Sequence, residues 1–309
     1  MDKILKKNKE LFLFGGVIVI LLLILIGLFV FSKINDSKKQ AAENKIQEEV
    51  IVPTNPFTSL DLEAKSVFVK NISTGEVIFS KNENQILPLA SITKLVTAGT
   101  AYDLFGPEKI ITIKDSDLLQ EGDVSVYTGE TFSVKSLIDI ILISSSNDLS
   151  SALASGIESK ENFIKHMNIF AKKAGLEDTT LFNETGLDIN TTETGGTGTA
   201  RDISTLAEYI FTKYPSIFEA TKISQIKKTS MEGVAHIFYN TNSIVNTLPN
   251  ILGSKTGYTD MAGGNLVVII DPGLNTPIVI TVLGSTREGR FSDVEKLTEA
   301  LLTYFSEKE

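Results

Sequence analysis

Residues 11 to 31 read Leu-Phe-Leu-Phe-Gly-Gly-Val-Ile-Val-Ile-Leu-Leu-Leu-Ile-Leu-Ile-Gly-Leu-Phe-Val-Phe, with no charged or strongly polar side chain. A helix rises about 1.5 Å per residue, so this run reaches roughly 30 Å, the thickness of a bilayer's hydrocarbon core. A core helix of a soluble domain keeps a polar stripe, whereas this run is apolar on every face. A cleaved secretory signal has a shorter apolar region, roughly 7 to 15 residues, ending at a small-x-small site. Here the run is longer and Ser-Lys-Ile-Asn-Asp-Ser-Lys-Lys follows it. The segment reads as one retained transmembrane helix. Lysines flank both sides, Lys3, Lys6, Lys7 and Lys9 before and Lys33, Lys38, Lys39 and Lys45 after, so counting them does not orient it. The short flank, residues 1 to 10, favours a cytoplasmic N-terminus with the bulk of the chain outside.

Residues 32 to 56 are polar and charged, with Pro53 and Pro56 near the end, the texture of a flexible linker. From residue 57 to residue 309 the texture is globular, without repeat or second linker, so a single domain is expected there. Ser66-Val67-Phe68-Val69-Lys70 and Glu76-Val77-Ile78-Phe79 flank a Gly-containing loop and predict a hairpin. Asn265 to Ile270 and Pro277 to Leu283 flank Asp271-Pro272-Gly273 and predict another. Thr199 and Asp202 have the spacing of a helix cap, followed by Ile203, Leu206, Ala207, Ile210 and Phe211 on one face. Ser292 and Glu295 predict the cap of a closing helix carrying Val294, Leu297, Leu301 and Leu302. Strands at both ends around a mostly helical middle imply an α+β domain whose antiparallel sheet is completed from both chain ends.

The chain has no cysteine, which excludes disulfides, thiolate metal sites and a Cys nucleophile. Its net charge of −9 and lack of a basic block argue against nucleic acid as a partner. Only two histidines are present, His166 and His236, each in an apolar setting that suits a packed or surface residue. There is no Gly-x-Ser-x-Gly elbow. A hydrolase built on this chain therefore needs another base, and lysine can serve.

In Ser91-Ile92-Thr93-Lys94 the hydroxyl and the amine are three residues apart, so a helix puts them on one face. Serine at a helix N-terminus sits in a positive field, and burial of the lysine lowers its pKa until it can accept the serine proton. The spacing alone is weak evidence, because Ser224-Gln225-Ile226-Lys227 also has it. Ser145-Ser146-Asn147 places a hydroxyl and an amide at i and i+2, suited to lining a cleft, although Ser80-Lys81-Asn82 shows how cheaply that pattern arises. Lys255-Thr256-Gly257 brings a cation and a hydroxyl to one strand, suited to a carboxylate, with a glycine that lets another backbone approach. Together, in this order, the three motifs are the set used by penicillin-binding proteins and class A β-lactamases.

Leu89-Ala-Ser-Ile-Thr-Lys-Leu-Val-Thr-Ala98 closely resembles the nucleophile segment of the low-molecular-mass D-alanyl-D-alanine carboxypeptidases, peptidase family S11. Ser146-Asn147-Asp148, Asn183-x-x-Gly186-Leu187, Thr199-Ala200-Arg201-Asp202 and Lys255-Thr-Gly-Tyr-Thr-Asp-x-Ala-Gly-Gly-Asn-Leu-Val resemble it too. The resemblance runs from about residue 57 to about residue 305 and implies the serine β-lactamase/DD-peptidase-like fold. It implies Ser91 as nucleophile, Lys94 as general base and Ser145 as proton relay. It also implies Asn147, Lys255, Thr256, Gly257, Tyr258 and Arg290 as substrate-binding residues. The backbone N–H groups of Ser91 and Tyr258 would form the oxyanion hole, and Lys255 would help depress the pKa of Lys94. The implied substrate is a peptidoglycan stem peptide ending in D-Ala-D-Ala. The implied inhibitors are β-lactams, and no cofactor or metal is called for. Better-known members carry a second, β-rich domain, a C-terminal amphipathic anchor and a cleaved signal, none of which is expected here. An outward-facing catalytic domain follows from the location of the substrate. Three alternatives share the fold: a β-lactamase, for which Glu184 in Glu184-Thr-Gly-Leu-Asp188 would activate water, a DD-endopeptidase, and a non-catalytic wall-binding module.

Overall fold

The computed structural model describes residues 2–46, 55–119, 126–156, 158–273 and 275–307. The chain divides into two compact units, Met1–Thr54 and Asn55–Glu309. The described residues of the first form a single helix, α1 (Asp2–Ile46). Its large apolar side chains from Ile18 to Phe31 are exposed rather than packed against protein. The helix continues well beyond residue 31, into the segment expected to be a flexible linker. No Gly or Pro interrupts residues 32–46, and Lys, Gln, Ala and Glu there are strong helix formers. The rest of that linker up to Thr54 lies outside the described residues.

The second unit is built on five antiparallel strands. The strands β1 (Ser66–Asn71) and β2 (Val77–Lys81) come first. The helical middle follows: α2 (Thr93–Phe105), α3 (Val134–Ser144), α4 (Asn147–Ser155), α5 (Lys160–Lys173) and α6 (Ala200–Lys213). Three strands and a helix complete the unit: β3 (Ile251–Thr259), β4 (Gly263–Ile270), β5 (Ile278–Ser285) and α7 (Gly289–Ser306). The sheet order is β3-β4-β5-β1-β2, so the last strand pairs with the first and β3 is left at an edge. Ser66 lies opposite Leu283 and Asn71 opposite Ile278 in that central pairing. The expected sheet from both chain ends is what forms.

Strand alternation divides the core. Phe68, Val267, Ile269, Val279 and Leu283 face the helical middle. Val67, Val69, Leu266, Val268, Ile270, Ile278, Ile280 and Val282 face the other way, onto Phe291, Val294, Leu297 and Leu301 of α7. Period-two alternation sends neighbours to opposite faces, and both faces here are apolar because both are covered. The first hairpin closes through Asn71, whose side-chain oxygen accepts from the N–H of Ser73 and Thr74 at 2.9 and 3.1 Å. The second closes through Asp271, which accepts from Gly273 N–H at 2.9 Å. Thr199 caps α6 by accepting from Asp202 N–H, as its spacing predicts. The closing helix differs. It starts at Gly289 without a side-chain cap, and Ser292 lies inside it, donating to Gly289 O at 3.1 Å.

Asp293 ties the two chain ends together. Fully buried on α7, it accepts from the N–H of Glu63 (3.0 Å) and Ala64 (2.8 Å) just before β1, and from the Ser285 hydroxyl (2.8 Å) on β5. Leaving those donors without an acceptor costs roughly 1 to 3 kcal/mol for each. Asp293→Ala is expected to lower unfolding stability by about 3 kcal/mol or more in denaturant titrations, whereas Asp293→Asn, which keeps one acceptor oxygen, loses less.

Candidate active site

The segment Pro88-Leu-Ala-Ser91 forms a tight turn before α2, and neighbours hold it on two sides. The Asn265 amide on β4 donates to the carbonyls of Pro88 and Leu89, each at 3.0 Å. Gly186 approaches so closely that a Cβ there would lie 1.9 Å from Ala90 O. Ala90 sits at φ 48°, in the left-handed region that L residues rarely occupy, a strain that surrounding contacts must over-determine. A short 3₁₀ turn, Ala90–Ile92, then leads into α2. Every residue from Thr93 to Ala101 is buried, Lys94 included. Small residues permit that crowding: a Cβ on Gly99 would collide with the Phe170 ring of α5.

Lys94 Nζ lies 2.8 Å from Ser91 Oγ, 2.7 Å from Asn147 Oδ1 and 2.6 Å from Thr185 O. Two of these partners are carbonyl oxygens, which only accept. A neutral amine has two N–H bonds and one lone pair. With both N–H bonds given to Asn147 and Thr185, the lone pair faces the Ser91 hydroxyl proton. Burial drives the Lys94 ammonium down to about 7, against an opposing pull from the Glu184 carboxylate. Deprotonation near neutrality and an aimed lone pair are what a general base requires.

Ser145 is placed by a break between helices. It ends α3 in the left-handed region at φ 63°, and Ser146 caps α4 by accepting from Leu149 N–H at 3.0 Å. The buried Lys255 on β3 donates to Ser145 Oγ at 2.9 Å and to Thr256 O at 2.7 Å. Burial first, then repulsion from Lys94 and Arg290, hold the Lys255 ammonium well below the ordinary lysine range. The sequence expectation had Lys255 depressing Lys94. For Lys94 the cause is burial, and the mutual repulsion weighs on Lys255. The Thr256 hydroxyl pairs with the Thr241 hydroxyl at 2.6 Å. At Gly257 the edge strand presses on the Ser91 turn: a Cβ would lie 2.9 Å from Leu89 O and 3.2 Å from Ser91 N. Arg290 Nη1 donates to Gly257 O at 2.6 Å from behind the strand, and Arg287 stacks over the Tyr258 ring.

Eight of the residues singled out from sequence thus gather around two serine–lysine pairs, with Arg290 engaged on the strand's main chain rather than on Thr256. Both competing motifs fall elsewhere, Gln225–Thr229 and Val77–Lys81 being hairpin strands. Each histidine has a carboxylate neighbour that the sequence did not foretell, His166 with Glu158 at 2.6 Å and His236 with Glu130 at 2.8 Å. Neither pair touches Ser91. Thr185, Thr241 and Lys160 were missed. Thr185 offers only a backbone carbonyl, which no side-chain pattern announces. Asn183 did signal its loop: its side-chain oxygen accepts from Gly186 N–H at 2.7 Å and its amide donates to Leu187 O at 2.9 Å. Glu184 is buried and paired with Lys160 at 3.2 Å. Among the described residues no group of three or more His, Asp or Glu could hold a metal ion.

The family model of the D-alanyl-D-alanine carboxypeptidases, peptidase family S11, matches residues 51–286. The chain belongs to this family. It is 31% identical over 244 residues to the D-alanyl-D-alanine carboxypeptidase DacF of Bacillus subtilis, covering 77% of this chain and 61% of DacF. The chain therefore spans about three fifths of that relative's length. A D-alanyl-D-alanine endopeptidase of Pseudomonas aeruginosa is 30% identical over 256 residues, covering 79% of this chain and 78% of the relative. Penicillin-binding protein D2 of Listeria monocytogenes, solved in its ampicillin-bound form, superposes with a TM-score of 0.67 at 27% identity, over 78% of this chain and 98% of that one. The S11 fold thus accounts for the sheet built from both chain ends and the helical middle.

The depressed Lys94 amine has a direct signature. The folded chain binds this proton less tightly than the unfolded chain, so stability contributed here rises with pH from about 7 toward the ordinary lysine range. In 13C-lysine-labelled protein the Lys94 Cε resonance is expected to titrate with a midpoint near 7, and Glu184→Gln to move the midpoint down. A midpoint in the ordinary lysine range would contradict the burial argument.

Proposed function

We propose that this S11 protein is a serine-type D-alanyl-D-alanine carboxypeptidase acting through a Ser91 acyl-enzyme. The observation that carries the proposal is the buried Lys94 amine, 2.8 Å from Ser91 Oγ with two carbonyl acceptors around it. Ser91 Oγ attacks the carbonyl between the two terminal D-alanines and passes its proton to Lys94 Nζ. The oxyanion is taken by the N–H groups of Ser91 and Tyr258, a reading supported by the close approach of Gly257 to Ser91 N. The C–N bond breaks as the leaving amine receives a proton routed through Ser145, and free D-alanine departs. Water then attacks the ester and restores the Ser91 hydroxyl. The substrate backbone adds to the edge strand β3, with Asn147 on the opposite wall and its terminal carboxylate at Thr256 and Lys255. Arg290 adds positive charge behind Gly257.

Two relatives support extensions of this proposal. The Listeria protein carries ampicillin, which supports β-lactams as acylating inhibitors here. The Pseudomonas relative is an endopeptidase, so cleavage of a D-Ala cross-link is a second reading of the same chemistry. A β-lactamase role for Glu184 is disfavoured, because its carboxylate is buried and paired with Lys160. The stretch Ile18–Gln40 is long and apolar enough to cross a bilayer, and we assign α1 as a membrane anchor with the Asn55–Glu309 unit outside.

Fluorescent penicillin is expected to label the wild type and decay slowly, and Ser91→Ala to abolish the label. Ser91→Ala should also lower D-alanine release by roughly a thousandfold or more. The acylation rate should climb as pH rises through about 7, because only the unprotonated Lys94 accepts the serine proton. Comparing D-alanine release from a pentapeptide with cleavage of a cross-linked dimer separates the two peptidase readings. Full-length protein is expected in the membrane fraction, with its C-terminal unit open to protease added outside intact spheroplasts, and deletion of residues 2–46 to release it. Protection from that protease would overturn the assigned topology.

A further inference from the structure

Lys160 opens α5, just after the capping Ser159, whose hydroxyl accepts from Asn162 N–H at 3.3 Å. A cation in the first turn of a helix works against the helix dipole, so α5 itself gains nothing from this one. The partly exposed side chain reaches instead to two other segments. Its ammonium donates to the Ser151 hydroxyl on α4 and pairs with Glu184 Oε1, 3.2 Å away, in the loop that Asn183 holds. Ser151 lies one turn after Asn147, on the same side of α4. Glu184 directly precedes Thr185, and its own carbonyl accepts from Thr97 Oγ1 on α2 at 2.8 Å. Lys160 therefore joins the two segments that give Lys94 its carbonyl acceptors, Asn147 Oδ1 and Thr185 O.

We propose that Lys160 is a positioning residue for the Ser91–Lys94 pair, clasping α4 to the 183–187 loop so that both acceptors stay on the Lys94 amine. The clasp also answers the Glu184 charge. That carboxylate is buried, and its burial would be costly without a partner. Its pull on the Lys94 proton is opposed by the second cation at Lys160, and removing that cation leaves the pull unopposed. Two further charged groups stand on the other walls, Lys255 on β3 and the buried Asp148 beside Asn147 on α4. The inference rests on the acyl-enzyme reading and adds a residue that acts through Ser151 and Glu184 rather than on the reacting atoms.

The test uses full-length protein in detergent, fluorescent penicillin in excess, and pH varied through about 7, with Asp148 and Lys255 intact in every variant. Under excess penicillin the acylation rate constant does not depend on how much protein is folded. Lys160→Met is expected to lower the high-pH plateau of this constant roughly tenfold, as a displaced reacting group would. The midpoint should also move up from about 7, because Glu184 then holds the Lys94 proton unopposed. In D-alanine release kcat should fall while KM stays, the mark of an interaction lost from the chemical step. Lys160→Arg keeps the cation and its donors and should restore plateau and midpoint. Ser151→Ala cuts only the α4 end, so it should lower the plateau and leave the midpoint in place, and it decides the matter if Lys160→Met does not fold. A wild-type plateau in Ser151→Ala overturns the proposal. So do a wild-type plateau and midpoint in Lys160→Met, whatever its thermal stability. If the wild type takes no label and releases no D-alanine, the acyl-enzyme reading fails on its own. The Lys94 Cε midpoint, which needs no turnover, then tests the clasp: an upward move in Lys160→Met supports it and an unmoved midpoint overturns it.

Discussion

Removing one amine from water organises the site. Lys94 is enclosed by α2 and its neighbours, and the cost of keeping a charge there shifts its protonation equilibrium to about 7. The surrounding carbonyls then decide which way the neutral amine faces. Asn147 comes from the first turn of α4 and Thr185 from the loop held by Asn183, so two remote segments aim a third. A chain with two histidines, both engaged elsewhere, has in this burial the means to make a base from lysine.

The second pair repeats the device on the facing wall. Lys255 is also buried, and it also holds a serine hydroxyl. The two serines share a further trait: each stands at or next to a left-handed backbone position, Ala90 before Ser91 and Ser145 itself. These conformations persist because Gly186, Asn265 and the α3–α4 break leave little room for alternatives. Strain of this kind sharpens placement, since a hydroxyl on a relaxed helix would have several rotamers and backbone settings open to it.

What could be read from sequence follows a physical division. Turn residues such as Asn71 and Asp271 act on their own neighbours, so both hairpins were legible. The three motifs were legible because each packs its reactive groups within four residues or fewer. Groups that matter through distant encounters were not: the Thr185 carbonyl, the Thr241 hydroxyl under Thr256, and Lys160 against Glu184. The start of α7 was misplaced because a capping-box spacing at Ser292 and Glu295 also fits a helix interior, where the serine hydroxyl bonds back to Gly289. Residues 32–46 of the expected linker are helical because the helix propensity of their Lys, Ala, Gln and Glu residues outweighs their polarity.

The pairing of β1 with β5 also governs when the site can assemble. Ser66 and its partner Leu283 are separated by most of the Asn55–Glu309 unit. The strand bearing Lys255 is hydrogen-bonded to β4, which depends in turn on β5. A growing polypeptide that extends only through α2 holds Ser91 and Lys94 without the Lys255 strand that faces them. Non-local pairing of this sort closes late, after the intervening loop entropy has been overcome. The two serine–lysine pairs thus meet only once the final strand has joined the sheet.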